Sequence, residues 1–528
     1  MSAIKVVEDL LTSGKITRRE FMTRISALGM ATAVSPLLLA HPARAESPKK
    51  GGRLRAGMAG GATTDTLDPA TMTDYVPLFI LFGQLRNCLT EVDYEGNVTP
   101  ELAESWEASK DAKKWIFNLR KGIEFHSGKT MDAEDVIFSI SHHRKEASKS
   151  GGKALLKSIT DITADGKQRV IFTLKAGDAD FPYIVSDYHL QIMPKDTKDF
   201  DKGDGTGPYM LVKHEPGVRC LTKRNPNYWK AGRGHFDEVE TICISDVTAR
   251  TNALKSGQVD YINRCERKTA HLLKRVAGIQ LLSATGTTHY TLPMLADVPP
   301  FDNNDVRLAL KYAIDREELV KRILRGFGQV GNDHPIGPNQ RYFASELPQR
   351  TFDPEKARFH MKKASVEGET LKFHVADAAF AGAVDTAVLI QNQAAKAGIN
   401  IEVVREPDDG YWSNVWMKKP WSACYWGGRP TEDLMFSIAY ASDAAWNDSH
   451  WKHQHFDKLL LEARAELNDT KRRQMYAEMQ RIVRDEGSVI IPMFASIVEA
   501  ASTKLKYVNY AANYESDGGK LAEKWWFA

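Results

Sequence analysis

The densest concentration of chemistry-bearing side chains in this 528-residue chain lies between Trp412 and His455. Cys424-Tyr425-Trp426-Gly427-Gly428-Arg429-Pro430-Thr431-Glu432-Asp433 sets one arginine between two glycines and two acids. A guanidinium is a planar fork suited to a carboxylate or phosphate. Either Arg429 receives such a group from a ligand, or it pairs with Glu432 or Asp433 and fixes its own loop. Around it stand Trp412, Trp416, Trp421, Tyr425, Trp426 and Trp446. Aromatic faces stack on sugar rings or apolar chains at little entropic cost. Trp426 and Trp446 are the expected cleft-lining members, and the others include core residues.

Nearby, His450, His453 and His455 offer three imidazoles in the pattern H-x-x-H-x-H. Metal binding is not the expectation, because no acidic or cysteine ligand completes the set and Lys452 would oppose a cation. Asp408 and Asp409 are adjacent in sequence, so they point apart on an extended segment and make a poor acid–base pair. The chain has no G-x-S-x-G elbow, no H-E-x-x-H and no phosphate loop. We therefore expect no catalytic residues, no metal and no cofactor. A secreted hydrolase is the competing class, and a receptor presenting its ligand to a membrane sensor would share the same features.

The first 45 residues read as an export signal. Arg18-Arg19 precede Phe21-Met22, an apolar small-residue stretch follows from Ile25 to Ala40, and Ala43-Arg44-Ala45 closes it. This order is that of a twin-arginine signal peptide, with cleavage expected after Ala45. The apolar stretch is short for a membrane span and is interrupted by Thr32, Ser35 and Pro36. The expected location is the periplasm, and the expected mature chain is soluble and monomeric.

Net charge is +3, and the first 45 residues carry six basic against three acidic side chains. The remainder is thus formally neutral, which argues against a nucleic-acid partner. Five cysteines at 88, 220, 243, 265 and 424 form no close pair and read mainly as small buried hydrophobes, with a Cys220–Cys243 disulfide left open.

The elements that must position these groups mix helices with short strands, indicating α/β or α+β organisation. Val170–Leu174 and Val239–Ile244 read as strands. Apolar residues at three- and four-residue spacing predict a helix over 305–324, capped at Asn304 or Asp305 and stopped at Gly326. Phe456–Leu467 and Arg472–Val483 form another helical pair, with Asn468-Asp469-Thr470 as stop and cap.

Several blocks occur in a recognisable order. They include Pro100-Glu101-Leu102-Ala103-Glu104-Ser105-Trp106, Phe117–Ile123 continuing to Phe125-His126-Ser127-Gly128, and Gly205-Thr206-Gly207-Pro208-Tyr209. Arg224–Trp229, Ser256–Asp260 and Asp305–Arg316 follow. Together they resemble the extracytoplasmic solute-binding proteins that include the oligopeptide, dipeptide, nickel and opine receptors of ABC importers. The match spans about 51–494, and most of these residues read as packing; His126 reads as part of a structural turn.

This resemblance implies a two-lobed periplasmic binding protein, class II-like, with an extra subdomain in the first lobe and a hinge of two crossing strands. Lobe I would hold 46–288 and 488–528, and lobe II 289–487. The hinge strands would lie near Thr287–Met294 and Ile491–Ser496. Such a protein is no enzyme; its partners are a small-molecule ligand and an inner-membrane ABC permease. In peptide-binding members an aspartate three residues after a tryptophan pairs with the peptide's α-amino group. If Trp426 is that tryptophan, Arg429 takes the aspartate's place and inverts the charge requirement. The expected ligand is then anionic, such as an opine-like conjugate, an acidic sugar or another carboxylate. An oligopeptide, dipeptide or metal-chelate receptor is the alternative. The expected ligand-binding residues are Arg429, Trp426, Tyr425, Gly428, Trp446, Asn447, Tyr188 and His189.

Overall fold

A computed structural model describes residues 48–528 apart from Thr73, Asp409 and Pro430. The expected signal peptide and its cleavage site fall outside the described residues. Among those residues, no helix is long and apolar enough to cross a membrane.

Two long strands organise the chain. Ile279–Pro293 and Val489–Ser502 run antiparallel, from the pair Ile279–Ser502 to the pair Pro293–Val489. The second is apolar and buried along almost its whole length, as a strand covered on both faces must be. Pairing is irregular between Thr285 and His289 and again between Tyr290 and Leu292. The second break lies inside the segment expected to cross the hinge, and the first overlaps its start. The two strands sit within a nine-stranded sheet, with Cys424–Trp426 at one end and Tyr209–Glu215 at the other.

The chain before and after these strands builds one set of cores. Leu54, Phe79, Tyr209 and Tyr261 pack with Leu505, Leu521 and Trp525 from the C-terminal segment. A four-stranded antiparallel sheet, Ala103–Ala108, Lys114–Leu119, Arg169–Leu174 and Ile159–Ala164, has its own core of Trp115, Phe117, Phe172 and Phe181. The helix Ala133–Arg144 packs on it and starts with a capping box between Asp132 and Asp135. The chain between the long strands builds a second set. One core surrounds Leu292, Phe373 and Trp421, and another surrounds Phe436, Tyr476 and Ile482.

Local expectations hold where period and caps agree. The helices Gln454–Ala465 and Asp469–Glu486 are separated at Asn468, whose side chain accepts from Lys471 N. The predicted helix over 305–324 is instead two, Asn304–Tyr312 and Arg316–Arg322. Asp315 takes extended backbone angles and its carboxylate accepts from Glu318 N, so it starts a new helix where periodicity alone sees one face. The first helix is capped by Asn303. His126 lies in a turn, with its ring Nε2 3.1 Å from Gly207 O. All five cysteines are unpaired thiols.

Candidate functional site

The segment between the long strands meets the segments outside them around a cavity of about 270 Å³. One wall carries Tyr183, Tyr510, Tyr514 and Lys520, and the facing wall carries Arg341, Gly428, Arg429 and Glu432.

The cavity's acids are already engaged. Glu91 accepts from Lys230 and Lys520 at 2.8 and 2.9 Å. Asp93 accepts from Glu95 N and Asn97 N of its own turn. Asp180 pairs with Arg472 at 2.7 Å, and Glu432 accepts from Tyr342 N at 2.8 Å. Three of the cavity's cations are likewise spent: Arg341 on Asp469, Lys520 on Glu91 and Glu101, and Lys524 on Asp517. Among the described residues, Arg429 has no carboxylate partner. Its Nη1 donates only to Gly427 O and Gly428 O, at 3.0 and 3.3 Å. The neighbouring acids are committed elsewhere, Glu432 to Tyr342 and Asp433 to Arg464.

The surroundings of Arg429 are aromatic. Its guanidinium lies 5.8 Å from the centre of the Trp426 ring. Burial lowers its pKa, and the phenols of Tyr188 and Tyr514 act in the opposite sense. Tyr188 meets Tyr514 edge-on at 5.2 Å. Burial and Asp187 push the Tyr188 phenol up to about 12, while Arg429 pulls it down. The guanidinium presents only donors, and each neighbouring phenol can donate as well, a set that suits an anion.

Gly428 is held by contact. A Cβ there would sit 1.6 Å from Thr287 Oγ1, so only glycine lets the Arg429 loop lie against the long strand.

The other predicted residues divide. Trp426 is buried and donates from its indole to Asp448 Oδ2, and Trp446 packs against it at 6.1 Å while staying half exposed. Tyr425 precedes Trp426 on one strand and so faces the other way, against Trp412. Asn447 is buried with its amide spent on Ala441 O and Trp451 O, inside its own loop. His189 is also buried, its Nδ1 2.7 Å from Asp187. In the histidine-rich loop, His450 pairs with Asp297 and His453 with Glu486. The three close carboxylates Glu91, Glu101 and Glu523 are bridged by the ammonium groups of Lys230 and Lys520.

Sequence reasoning missed Tyr510, Tyr514 and Lys520, which the C-terminal segment returns to the cavity. The tyrosine spacing at 507, 510 and 514 was the available signal.

The model for bacterial extracellular solute-binding proteins, family 5, matches residues 97–448. The chain belongs to this family. It is 27% identical over 460 residues to di/tripeptide-binding protein 1 of Pseudomonas aeruginosa, covering 79% of this chain and 85% of that protein. It is 27% identical over 431 residues to heme-binding protein A of Haemophilus influenzae, covering 74% and 78%. Its fold superposes on HbpA2 of Haemophilus parasuis with a TM-score of 0.80 at 22% identity, covering 88% of this chain and 99% of that one. The fold is that of the two-lobed periplasmic binding proteins. This family 5 member is a non-enzymatic solute-binding component of an ABC importer.

Proposed function

We propose that this receptor captures a small anionic solute between its lobes, with Arg429 holding the anionic group. The observation that carries the reading is that Arg429 alone among the cavity's described cations lacks a carboxylate partner. A half-buried guanidinium without a carboxylate partner is costly, and a ligand carboxylate or phosphate would relieve that cost. Tyr514 adds a hydroxyl donor from the opposite wall, so the anion would tie the lobes together. An α-ammonium placed at Arg429 would be repelled. The cavity is small beside the roughly 300–1,000 Å³ usual for ligand pockets, which favours an opine-like conjugate, an acidic sugar or a similar acid.

A di- or tripeptide is the second reading, favoured by the Pseudomonas aeruginosa relative. Such a ligand would have to place its carboxylate, not its amino end, at Arg429. In this proposal lobe I comprises 46–288 with 488–528, and lobe II comprises 289–487. Export runs through the twin-arginine route with cleavage after Ala45, and the mature chain is a soluble periplasmic monomer that delivers its ligand to an inner-membrane permease.

A thermal-stability screen with opines, acidic sugars, di- and tripeptides and metal chelates tests the reading. An acid present at 100 times its Kd should stabilise the protein by about 2.7 kcal/mol, without turnover. Arg429→Ala should weaken that acid roughly 100-fold in calorimetry, and Arg429→Asp should abolish its binding. Unchanged affinity in Arg429→Asp would defeat the proposal.

A further inference from the structure

A row of aromatic rings leaves the ligand cavity at Arg429. From the Trp426 ring, 5.8 Å from the guanidinium, it passes to Trp446 at 6.1 Å and Trp416 at 6.4 Å. It then continues to Trp412 and Tyr425, each step 5.8 Å. The two inner indoles are fixed by one acceptor. Trp416 and Trp426 both donate to Oδ2 of the buried Asp448, at 3.1 and 3.3 Å. The outer three are not buried: Trp412, Tyr425 and Trp446 are 41%, 48% and 48% exposed. None of their indole N–H or phenol groups has a partner among the described residues.

Exposed aromatic residues packed edge to face on an anchored base form a preorganised stacking surface. The free N–H and O–H groups decide what it suits. A purely apolar ring would use the faces and leave these donors to water. A sugar ring would lay its C–H face on the indole and accept hydrogen bonds through its hydroxyls. The row is also continuous with the Arg429 site through the contact with Trp426. We infer that it is an outer subsite for the sugar ring of the same ligand whose anionic group lies at Arg429, with Trp446 as the first stacking platform. This deepens the proposed function and rests on Arg429 being the anion anchor.

Calorimetry on the full mature chain with two matched pairs of acids tests it. The pairs are deoxyfructosyl-glutamate with sugar-free N-methylglutamate, and an aldobiouronic acid with glucuronate alone. In at least one pair the longer, sugar-bearing member should bind about tenfold more tightly than its counterpart. Trp446→Ala should erase that advantage, weakening the sugar-bearing member about tenfold more than its counterpart, and Trp446→Phe should restore most of it. Because Trp446 is half exposed, these variants should keep the parent's melting temperature. Binding of the shorter acids with no gain from the added sugar would overturn the subsite and leave the Arg429 reading standing. So would a gain that survives Trp446→Ala. If none of the four acids binds, both readings fall together.

Discussion

Asp180 and Arg472, 292 residues apart in sequence, form a buried ion pair at 2.7 Å between the segment before the long strands and the segment between them. Arg472 is further held by Ala463 O and lies over the Tyr342 and Tyr476 rings. A backbone bond, Ala179 N to Arg464 O at 2.7 Å, runs beside it. Removing one partner leaves a buried charge uncompensated, at a cost of about 3–5 kcal/mol. On the proposed lobe bounds, Arg472→Ala should therefore open the lobes. Small-angle scattering should give a larger radius of gyration for the variant, and an unchanged radius would show that other contacts hold the lobes shut.

Asp178 makes this clasp sensitive to pH. Burial and the neighbouring carboxylates of Asp180 and Asp433 push its carboxyl up to about 7, against a weaker pull from Arg464. The folded chain thus prefers the protonated acid. The stability this confers is complete below about pH 4 and is lost as pH rises through 7. Asp178→Asn should gain on the parent protein over that interval, by a few kcal/mol, in urea unfolding measured at pH 5 and pH 8. An equal gap at both values would contradict the assignment.

Gly428 and Thr287 leave no room for a methyl group. Gly428→Ala should displace the Arg429 loop and weaken ligand binding by about tenfold or more, while the circular dichroism spectrum stays that of the parent. Adding Thr287→Gly should recover part of the loss. Failure of this rescue would mean that the loop, not the contact, sets the geometry.

Asp448 should be visible in fluorescence. Burial holds its carboxyl up to about 6, and the indoles of Trp416 and Trp426 bond to it. The stability it contributes is full below about pH 4 and is lost as pH rises through 6. Tryptophan emission should titrate between pH 5 and 7. In Asp448→Asn, which keeps an acceptor but cannot ionise, the emission should be flat over that range.

Legibility from sequence followed the range of the interaction. The helices on either side of Asn468 could be read because period, stop and cap are local. The break at Asp315 escaped because an aspartate side chain competes for backbone N–H groups inside a continuous apolar stripe. Arg429 could be singled out by its charge beside aromatic residues. That it is unpaired could not, because Glu432 and Asp433 are drawn away by Tyr342 and Arg464 from distant segments. Asn447 was suggested by adjacency to Trp446, yet its amide closes its own loop. Tyr514 reaches Tyr188 only through the return of the C-terminal segment, which no local pattern encodes.

That return also sets a timetable. Tyr510, Tyr514 and Lys520 line the cavity, and Lys520 pairs with Glu91 and Glu101 more than 400 positions earlier. Trp525 and Leu521 complete a core begun at Leu54. Synthesis runs from the N-terminus, so the core begun at Leu54 cannot close until Trp525 has been added. A nascent chain that stops short of Tyr510 lacks part of the cavity wall.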